Sequence, residues 1–132
     1  MSVAGVAEES LRGGDPAAAL ARLQEQVRAQ PADAKLRIFL AQVLMVQGDW
    51  DRALNQLKVI GEVDASALPM AHAYSTAIQC ERLRADVFAG GRGPLLFGEP
   101  EPWIAMLMQS LAMMGAGQIP QAEELRGQAL EA

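Results

Sequence analysis

The chain has 132 residues, enough for one domain but short for two, and 51% of them are hydrophobic, enough for a core. Its 24 Ala and 16 Leu outnumber its 14 β-branched residues, which favours helices over sheets because Ala and Leu lose little on entering a helix. A net charge of −5 with scattered basic residues argues against nucleic-acid binding, and a single His and a single Cys argue against a Cys/His metal site and a disulfide scaffold.

The N-terminal segment does not resemble a targeting sequence. Met1 to Ser10 has neither a basic region nor a long apolar region, which a secretory signal requires. Apolar runs such as Trp103 to Met108 are far shorter than the roughly 20 residues that span a bilayer. Cys80 is the sole cysteine, as is usual in a reducing compartment. We therefore expect a cytoplasmic protein that binds neither membranes nor nucleic acids.

A motif of the form G-D-x-x-x-A-L-x-x-L occurs twice, beginning at Gly14 and, 34 residues later, at Gly48. Gly is suited to end one helix, Asp to cap the next, and Ala to let two helix backbones approach closely. A helix-turn-helix unit of 34 residues has the tetratricopeptide period, although Arg37 stands where that repeat commonly has Trp. A weaker third copy begins at Gly117, one residue out of register. The alternative is two unrelated helical hairpins that share a turn.

The fold predicted from these patterns is all-α, with tetratricopeptide-like helical hairpin repeats, about seven helices and no strand. We expect a single domain over residues 1–132. Its predicted parts are repeat units at about 1–33 and 34–65, a long helix over 66–89, a loop over 90–100 and a C-terminal hairpin over 101–132. Pro31 closes the first unit because the residue before a proline avoids helical geometry, and the Gly-rich stretch after residue 89 stops the long helix.

No combination of side chains predicts catalysis. His72 and Cys80 lie on one predicted helix, about 12 Å apart along its axis, whereas a nucleophile and its base must lie about 3 Å apart. The glycines of 90–93 lack the spacing of a phosphate-binding loop. Adjacent carboxylates such as those of Glu123 and Glu124 point in different directions along a helix. We therefore predict that the chain is not an enzyme and has no catalytic, cofactor-binding or metal-binding residues.

The segment 35–47 is apolar nearly all round a helix, and such helices are normally buried. The first helix of a tetratricopeptide unit lines the groove of the repeat. On this helix the groove positions are Lys35, Ile38, Gln42 and Met45, so they are our candidate partner-binding residues. Two alternatives remain: the long downstream helix covers them, or they form an apolar floor for an amphipathic helix of a partner.

The stretch from Pro94 to Trp103 is unusual for a loop because apolar side chains stand among Gly and Pro. Leu96, Phe97 and Trp103 are therefore further candidate partner-binding residues. Either the loop is tucked against the helices with Trp103 as its anchor, or it is an exposed docking patch. The methionines of 106–114 present the same choice between a core and a binding surface.

Several of these motifs carry a resemblance to a known family. They are L-R-G-G-D-P-A-A-A-L at 11–20, P-A-D-A-K-L-R at 31–37, G-D-W-D-R-A-L-N-Q-L at 48–57 and, most specifically, L-F-G-E-P-E-P-W at 96–103. In them the chain resembles the ImpE (TagJ) family, accessory proteins of bacterial type VI secretion. Members of that family are about twice as long and have a β-rich C-terminal half, so this chain resembles their helical N-terminal part.

The resemblance implies an adaptor protein. The family is associated with the contractile sheath and with the AAA+ unfoldase that recycles it, so a sheath subunit is the expected protein partner and the unfoldase a second one. Two alternatives stay open: a tetratricopeptide-type chaperone or adaptor of another pathway, and a self-associating structural subunit that forms a homo-oligomer.

Overall fold

The computed structural model describes the backbone of residues 3–132 and the side chains of residues 5–132. Over this range the chain forms seven α-helices and no strand, which confirms the predicted all-α class. The helices are α1 (Val3–Arg12), α2 (Pro16–Ala29), α3 (Ala34–Val46), α4 (Trp50–Val63), α5 (Leu68–Phe88), α6 (Pro102–Gly115) and α7 (Ile119–Glu131), and a 3-10 turn at Ala65–Ala67 leads into α5. Residues 1 and 2, with which the predicted first unit begins, lie outside the described range.

The repeated motif forms the turn between the two helices of a hairpin. Gly14 and Gly48 adopt φ values of 78° and 74°, in the left-handed region that favours glycine. In the second turn the N–H of Asp49 donates to the carbonyl of Leu44 (2.9 Å), and the Asp49 carboxylate accepts the N–H of Arg52 (3.3 Å). The first turn repeats both bonds, so each motif ends one helix and caps the next.

The weak third copy builds the same turn between α6 and α7. Gly117 has a φ of 79°, and the N–H of Gln118 donates to the carbonyl of Met113 (2.9 Å). Five positions after each turn glycine stands an alanine with no exposed surface: Ala19, Ala53 and Ala122. The third hairpin is therefore built like the first two, although it is one residue out of register.

The chain divides within α5 into two compact units, Met1–Ile78 (unit 1) and Gln79–Ala132 (unit 2). In unit 1, α1 packs on α2, α2 on α3, and α3 on α4. Its largest fully buried side chains are Leu23, Leu44, Leu57, Ile60 and Ile78. They form one core with smaller buried side chains from α1 to α5.

Arg37 takes a structural role at the position where the repeat commonly has Trp. Its Nε donates to the carbonyl of Pro31 (2.6 Å), and its terminal nitrogen donates to Oε1 of Gln56 (2.9 Å). The guanidinium thus ties the turn between α2 and α3 to α4, so a polar side chain replaces an aromatic one without opening the hairpin.

In unit 2, α6 packs on α7, and the turn that follows α5, at Ala89 and Gly90, crosses the end of α6. A Cβ added at Gly115 would lie 2.4 Å from the carbonyl carbon and oxygen of Ala89 and 2.5 Å from the backbone nitrogen of Gly90. Only glycine fits this crossing, because the neighbouring atoms belong to the backbone and cannot rotate away. None of the described helices is long and apolar enough to cross a membrane.

Candidate protein-binding surfaces

The predicted groove residues share one face of α3. Lys35 and Gln42 are exposed, whereas Ile38 and Met45 are half-buried and pack against the core of unit 1 with part of each side chain. The face turned away from them holds Leu36, Leu40 and Leu44, all buried. The helix therefore anchors one side in the core and leaves the predicted side open.

Sequence reasoning missed two residues of this face. Phe39 is half-buried, and Val46 keeps 79% of its surface exposed although it is an aliphatic residue within a helix. With them, the open face spans about 120° of the helix circumference. We call this face the α3 stripe, and its members are Lys35, Ile38, Phe39, Gln42, Met45 and Val46. The missed signal was the apolar character of the helix all round, which left more apolar side chains than its core contacts could cover.

The α3 stripe is mostly apolar, with exposed Gln42 in its middle and the cation of exposed Lys35 at its N-terminal end. Asp33 caps the same end of the helix, because its carboxylate accepts the N–H of Leu36 (3.1 Å). Its four apolar side chains can pack against the apolar face of a partner helix, and the cation at its end can pair with one carboxylate of that partner.

Unit 1 also has a groove between α4 and the start of α5. It has a volume of about 320 Å³ and is lined by Leu54, Leu57, Leu68, Ala71 and polar side chains, among them Lys58, Glu62 and the exposed His72. Charges of both signs line it, and no group of three or more His, Cys, Asp or Glu among the described residues could hold a metal ion. The groove therefore offers no defined chemistry.

Unit 2 has an almost wholly apolar groove of about 280 Å³. We call it the unit 2 groove, and it is lined by Cys80, Leu83, Arg84, Val87, Phe88, Pro94, Leu95 and Leu111. Arg84 lies at 5.6 Å from the centre of the Phe88 ring, a cation–π distance, and pairs with Glu81 at 2.8 Å. The hydrogen bond from Arg84 lowers the pKa of the Glu81 carboxyl below its ordinary value, and the same bond raises the pKa of Arg84.

The loop that borders this groove is exposed. Leu95, Leu96 and Phe97 keep 76%, 41% and 107% of their surfaces exposed, so Phe97 makes no contact that shields it. Trp103 lies in the first turn of α6, 40% exposed, and its Nε1 donates to the Glu101 carboxylate (2.8 Å). The structure thus places the predicted loop residues outside the core. Leu95, which we did not predict, completes the apolar loop Leu95–Phe97.

His72 and Cys80, the two side chains considered above as a nucleophile and its base, lie on separate surfaces. His72 and Cys80 are both exposed and both lie on α5. His72 lines the groove of unit 1, and Cys80 lines the unit 2 groove. Neither belongs to a described arrangement of a nucleophile with its base.

The tetratricopeptide repeat family model matches residues 10–77, about half of the chain. The type VI secretion system accessory component TagJ of Pseudomonas aeruginosa is 56% identical over 131 residues, which are 99% of this chain and 47% of that protein. The resemblance to the ImpE (TagJ) family read from the motifs is confirmed by this identity. The chain spans about half the length of this curated relative.

Solved structures support the helical architecture. The crystal structure of protein VPA1032 from Vibrio parahaemolyticus matches with a TM-score of 0.83 and 29% identity, over 95% of this chain and 47% of that one. A MamA double mutant matches with a TM-score of 0.54 and 19% identity, over 99% of this chain and 75% of that one. At that identity the second match shows only a shared fold.

Proposed function

We propose a protein-binding function for this chain, which belongs to the tetratricopeptide repeat family. In this proposal it is an adaptor of a bacterial type VI secretion system and not an enzyme. The chain is 56% identical in sequence to an accessory component of a type VI secretion system, which supports its assignment to that system. The repeat fold supports binding as the activity, because stacked helical hairpins present continuous surfaces to partners.

The observation that carries the proposal is the open α3 stripe. Val46 is 79% exposed, and Ile38, Phe39 and Met45 each leave part of an apolar side chain uncovered. Exposing so much apolar surface on a single helix face is unfavourable in water unless a partner covers it, at about 25 cal/mol for each Å². Association that covers the stripe is therefore favourable.

An amphipathic helix is the partner that fits the stripe. Its apolar residues at i, i+3 or i+4, and i+7 would lie against the two apolar pairs of the stripe, Ile38–Phe39 and Met45–Val46, which stand seven residues apart. Exposed Lys35 favours a partner helix with an acidic residue near the end that reaches it, although such an exposed pair contributes only about 0.2–1 kcal/mol. Apolar contact thus provides the affinity, and charge sets the direction of the helix.

The partner we propose is the small subunit of the contractile sheath, through one of its helices. The AAA+ unfoldase that recycles the sheath is the second proposed partner, reached directly or through the sheath. Both follow from the family resemblance. The candidate residues of the loop, Leu96, Phe97 and Trp103, belong to a separate surface in unit 2 and are not needed for contact with the α3 stripe.

A pull-down with the small sheath subunit tests this proposal. The double variant Ile38→Asp/Met45→Asp places two charges in the stripe, and we expect it to lose binding because each carboxylate would have to be buried without a partner. Circular dichroism must show the variant folded, since both side chains also contact the core. Unchanged capture by a folded double variant would remove the groove assignment.

Leu130→Asp is a matched control, since it also adds a charge to an exposed apolar position, 73% exposed, but in unit 2. We expect it to bind like the wild-type chain. If it loses binding as the stripe variant does, the effect is one of net charge and not of the stripe.

An adaptor of another pathway is the second candidate function, because the same stripe would accept an amphipathic helix from any protein. Neighbouring genes for a sheath and an unfoldase would favour the type VI assignment. Binding of an unrelated amphipathic helix with equal affinity would favour the alternative.

A further inference from the structure

We propose that unit 2 associates with a second copy of itself, with the apolar loop Leu95–Phe97 of each copy lying in the unit 2 groove of the other. This inference concerns a different unit from the α3 stripe and does not depend on the proposed sheath partner. A projection and an empty groove of the same apolar character lie side by side on one unit.

The projection is the loop before α6. Phe97 is 107% exposed, so it stands free of its own unit, whereas Leu95, 76% exposed, lines the edge of the groove. Gly98, with a φ of 79°, follows them directly and turns the chain away after Phe97. A loop in water rarely holds a fully exposed aromatic ring beside two leucines. Burial of each such side chain would be favourable by about 1.5–3 kcal/mol relative to leaving it exposed.

The unit 2 groove is the concave counterpart. Seven of its eight lining residues are apolar, and the eighth, Arg84, is turned onto Phe88 and Glu81. Because Phe97 is fully exposed, it does not fill the groove of its own unit. Each copy thus carries both a projecting side chain and a groove that can receive it, which is the condition for an isologous two-fold contact.

The apolar area available fits a weak dimer. Phe97, fully exposed, can bury roughly 150–250 Å² when covered, and Phe88, 58% exposed, about half of that; the two copies double the sum. Leu95 and Leu96 of both copies bring the total towards about 1,200 Å², the lower limit for specific interfaces. We therefore expect a dissociation constant in the micromolar range, where small interfaces are found.

Charge does not select an acidic partner for the groove. Arg84 is the charged residue of its lining, and its guanidinium is paired with Glu81 at 2.8 Å and lies over the Phe88 ring. An acidic partner would have to compete with Glu81 for this cation, whereas an apolar side chain of a second copy would not. The lining therefore favours an apolar occupant such as Phe97.

Sedimentation equilibrium over a concentration series tests the proposal. We expect the wild-type chain to pass from monomer to dimer, and Phe97→Asp to weaken dimerisation by a factor of about 25 or more, as loss of a central aromatic anchor does. Phe97 makes no shielding contact, so the variant should fold normally. Val46→Asp, which adds a charge to the α3 stripe, is the control and should dimerise like the wild type.

Cys80 supplies an independent reporter, since it is the single cysteine, is exposed and lines the groove. Its rate of alkylation should fall about tenfold when nine-tenths of the wild-type chains are dimeric, and should stay constant with concentration in Phe97→Asp.

A wild-type chain that stays monomeric at millimolar concentration would overturn the proposal, as would a Phe97→Asp variant that dimerises like the wild type. A dimer that leaves the alkylation rate of Cys80 unchanged would also overturn it. The Val46→Asp control separates this proposal from the proposed function. A variant that loses sheath binding but still dimerises has a defect in the α3 stripe alone. A variant that loses dimerisation but still binds the sheath subunit has a defect in unit 2 alone.

Discussion

The hairpin α3–α4 of unit 1 and the hairpin α6–α7 of unit 2 share a turn but not a core. Small buried residues stand seven positions before and five positions after each turn glycine: Ala41 and Ala53 in the first, Ser110 and Ala122 in the second. The large side chains differ. Leu44 and Leu57 are 1% exposed, whereas Met113 is half-buried and Arg126 is exposed at the equivalent positions. Turn chemistry and small residues thus set the hairpin, while the large residues set its stability.

The same comparison applies to the two candidate binding surfaces. Lys35 and Gln42 are the polar members of the α3 stripe, whereas the equivalent positions on α6 hold the apolar residues Ile104 and Leu111. One of them, Leu111, lines the unit 2 groove beside residues of α5 and the loop. A hairpin with few fully buried large side chains therefore leaves apolar surface for association.

The largest expected difference lies between Leu44→Ala and Met113→Ala, which truncate equivalent positions. Leu44→Ala should lower the free energy of unfolding by about 2–5 kcal/mol, the usual cost of a cavity at a buried leucine. Met113→Ala should cost less than half as much, since its side chain is only half-buried. Urea denaturation followed by circular dichroism measures both, and equal losses would show that the two cores are equivalent.

Gly115→Ala breaks the crossing of α6 and the turn after α5 that distinguishes unit 2. The added methyl would lie 2.4 Å from backbone atoms of Ala89, so we expect a loss of about 1–3 kcal/mol, as for other overpacked sites. Gly127→Ala is the control, because nothing lies within 4 Å of its added Cβ and α7 should gain about 0.5–1 kcal/mol. Thermal unfolding measures both variants. An unchanged melting temperature for Gly115→Ala would contradict this account.

Ser110 tests whether the small positions are interchangeable between the hairpins. Its hydroxyl donates to the carbonyl of Ala122 (2.6 Å) in a buried site, so Ser110→Ala should cost about 1 kcal/mol. The reverse change, Ala41→Ser, should cost less than about 1.5 kcal/mol if its hydroxyl reaches the carbonyl of Ala53 in the same way. Denaturation midpoints compare the two, and a much larger loss in Ala41→Ser would show that the backbones differ.

The turn of the third hairpin lacks the aspartate cap of the others, because the Gln118 side chain makes no capping hydrogen bond. Gln118→Asp should therefore stabilise the chain by about 0.5–1 kcal/mol, and Asp49→Ala should destabilise it by about 1 kcal/mol. The shift in melting temperature at neutral pH measures both effects. A lower melting temperature for Gln118→Asp would mean that an aspartate at this turn cannot form the capping hydrogen bond.

The smallest expected effect is a pH dependence from one carboxylate in each unit. The Ser66 hydroxyl and then the Ser66 backbone N–H lower the pKa of Asp64, and the hydrogen bond from Arg84 lowers that of Glu81. A lowered folded-state pKa contributes stability above the unfolded value, and this is lost as the pH falls through the folded value. Carbon-detected NMR titration should find both values below their ordinary ranges, and Ser66→Ala should return Asp64 towards its own.

Much of the fold followed from short-range chemistry. The turn glycines and the Asp caps act on their neighbours alone, so the repeated motif predicted the helix-turn-helix junctions that the structure shows at Gly14 and Gly48. The crossing at Gly115 could not be predicted, since it depends on the backbone of Ala89, which is distant in sequence. Likewise, a helix that is apolar nearly all round is normally buried, and only packing shows that Val46 keeps 79% of its surface exposed.

The central claim is that the α3 stripe binds an amphipathic helix of a protein partner, and Val46→Asp tests it most directly. Val46 is 79% exposed, so the change adds a charge to the stripe without removing a core contact. Titration calorimetry with the small sheath subunit should show binding to the wild-type chain. The variant should bind at least about tenfold more weakly, a loss of about 1.4 kcal/mol, with unchanged thermal unfolding. Equal affinity of the two chains would contradict the claim.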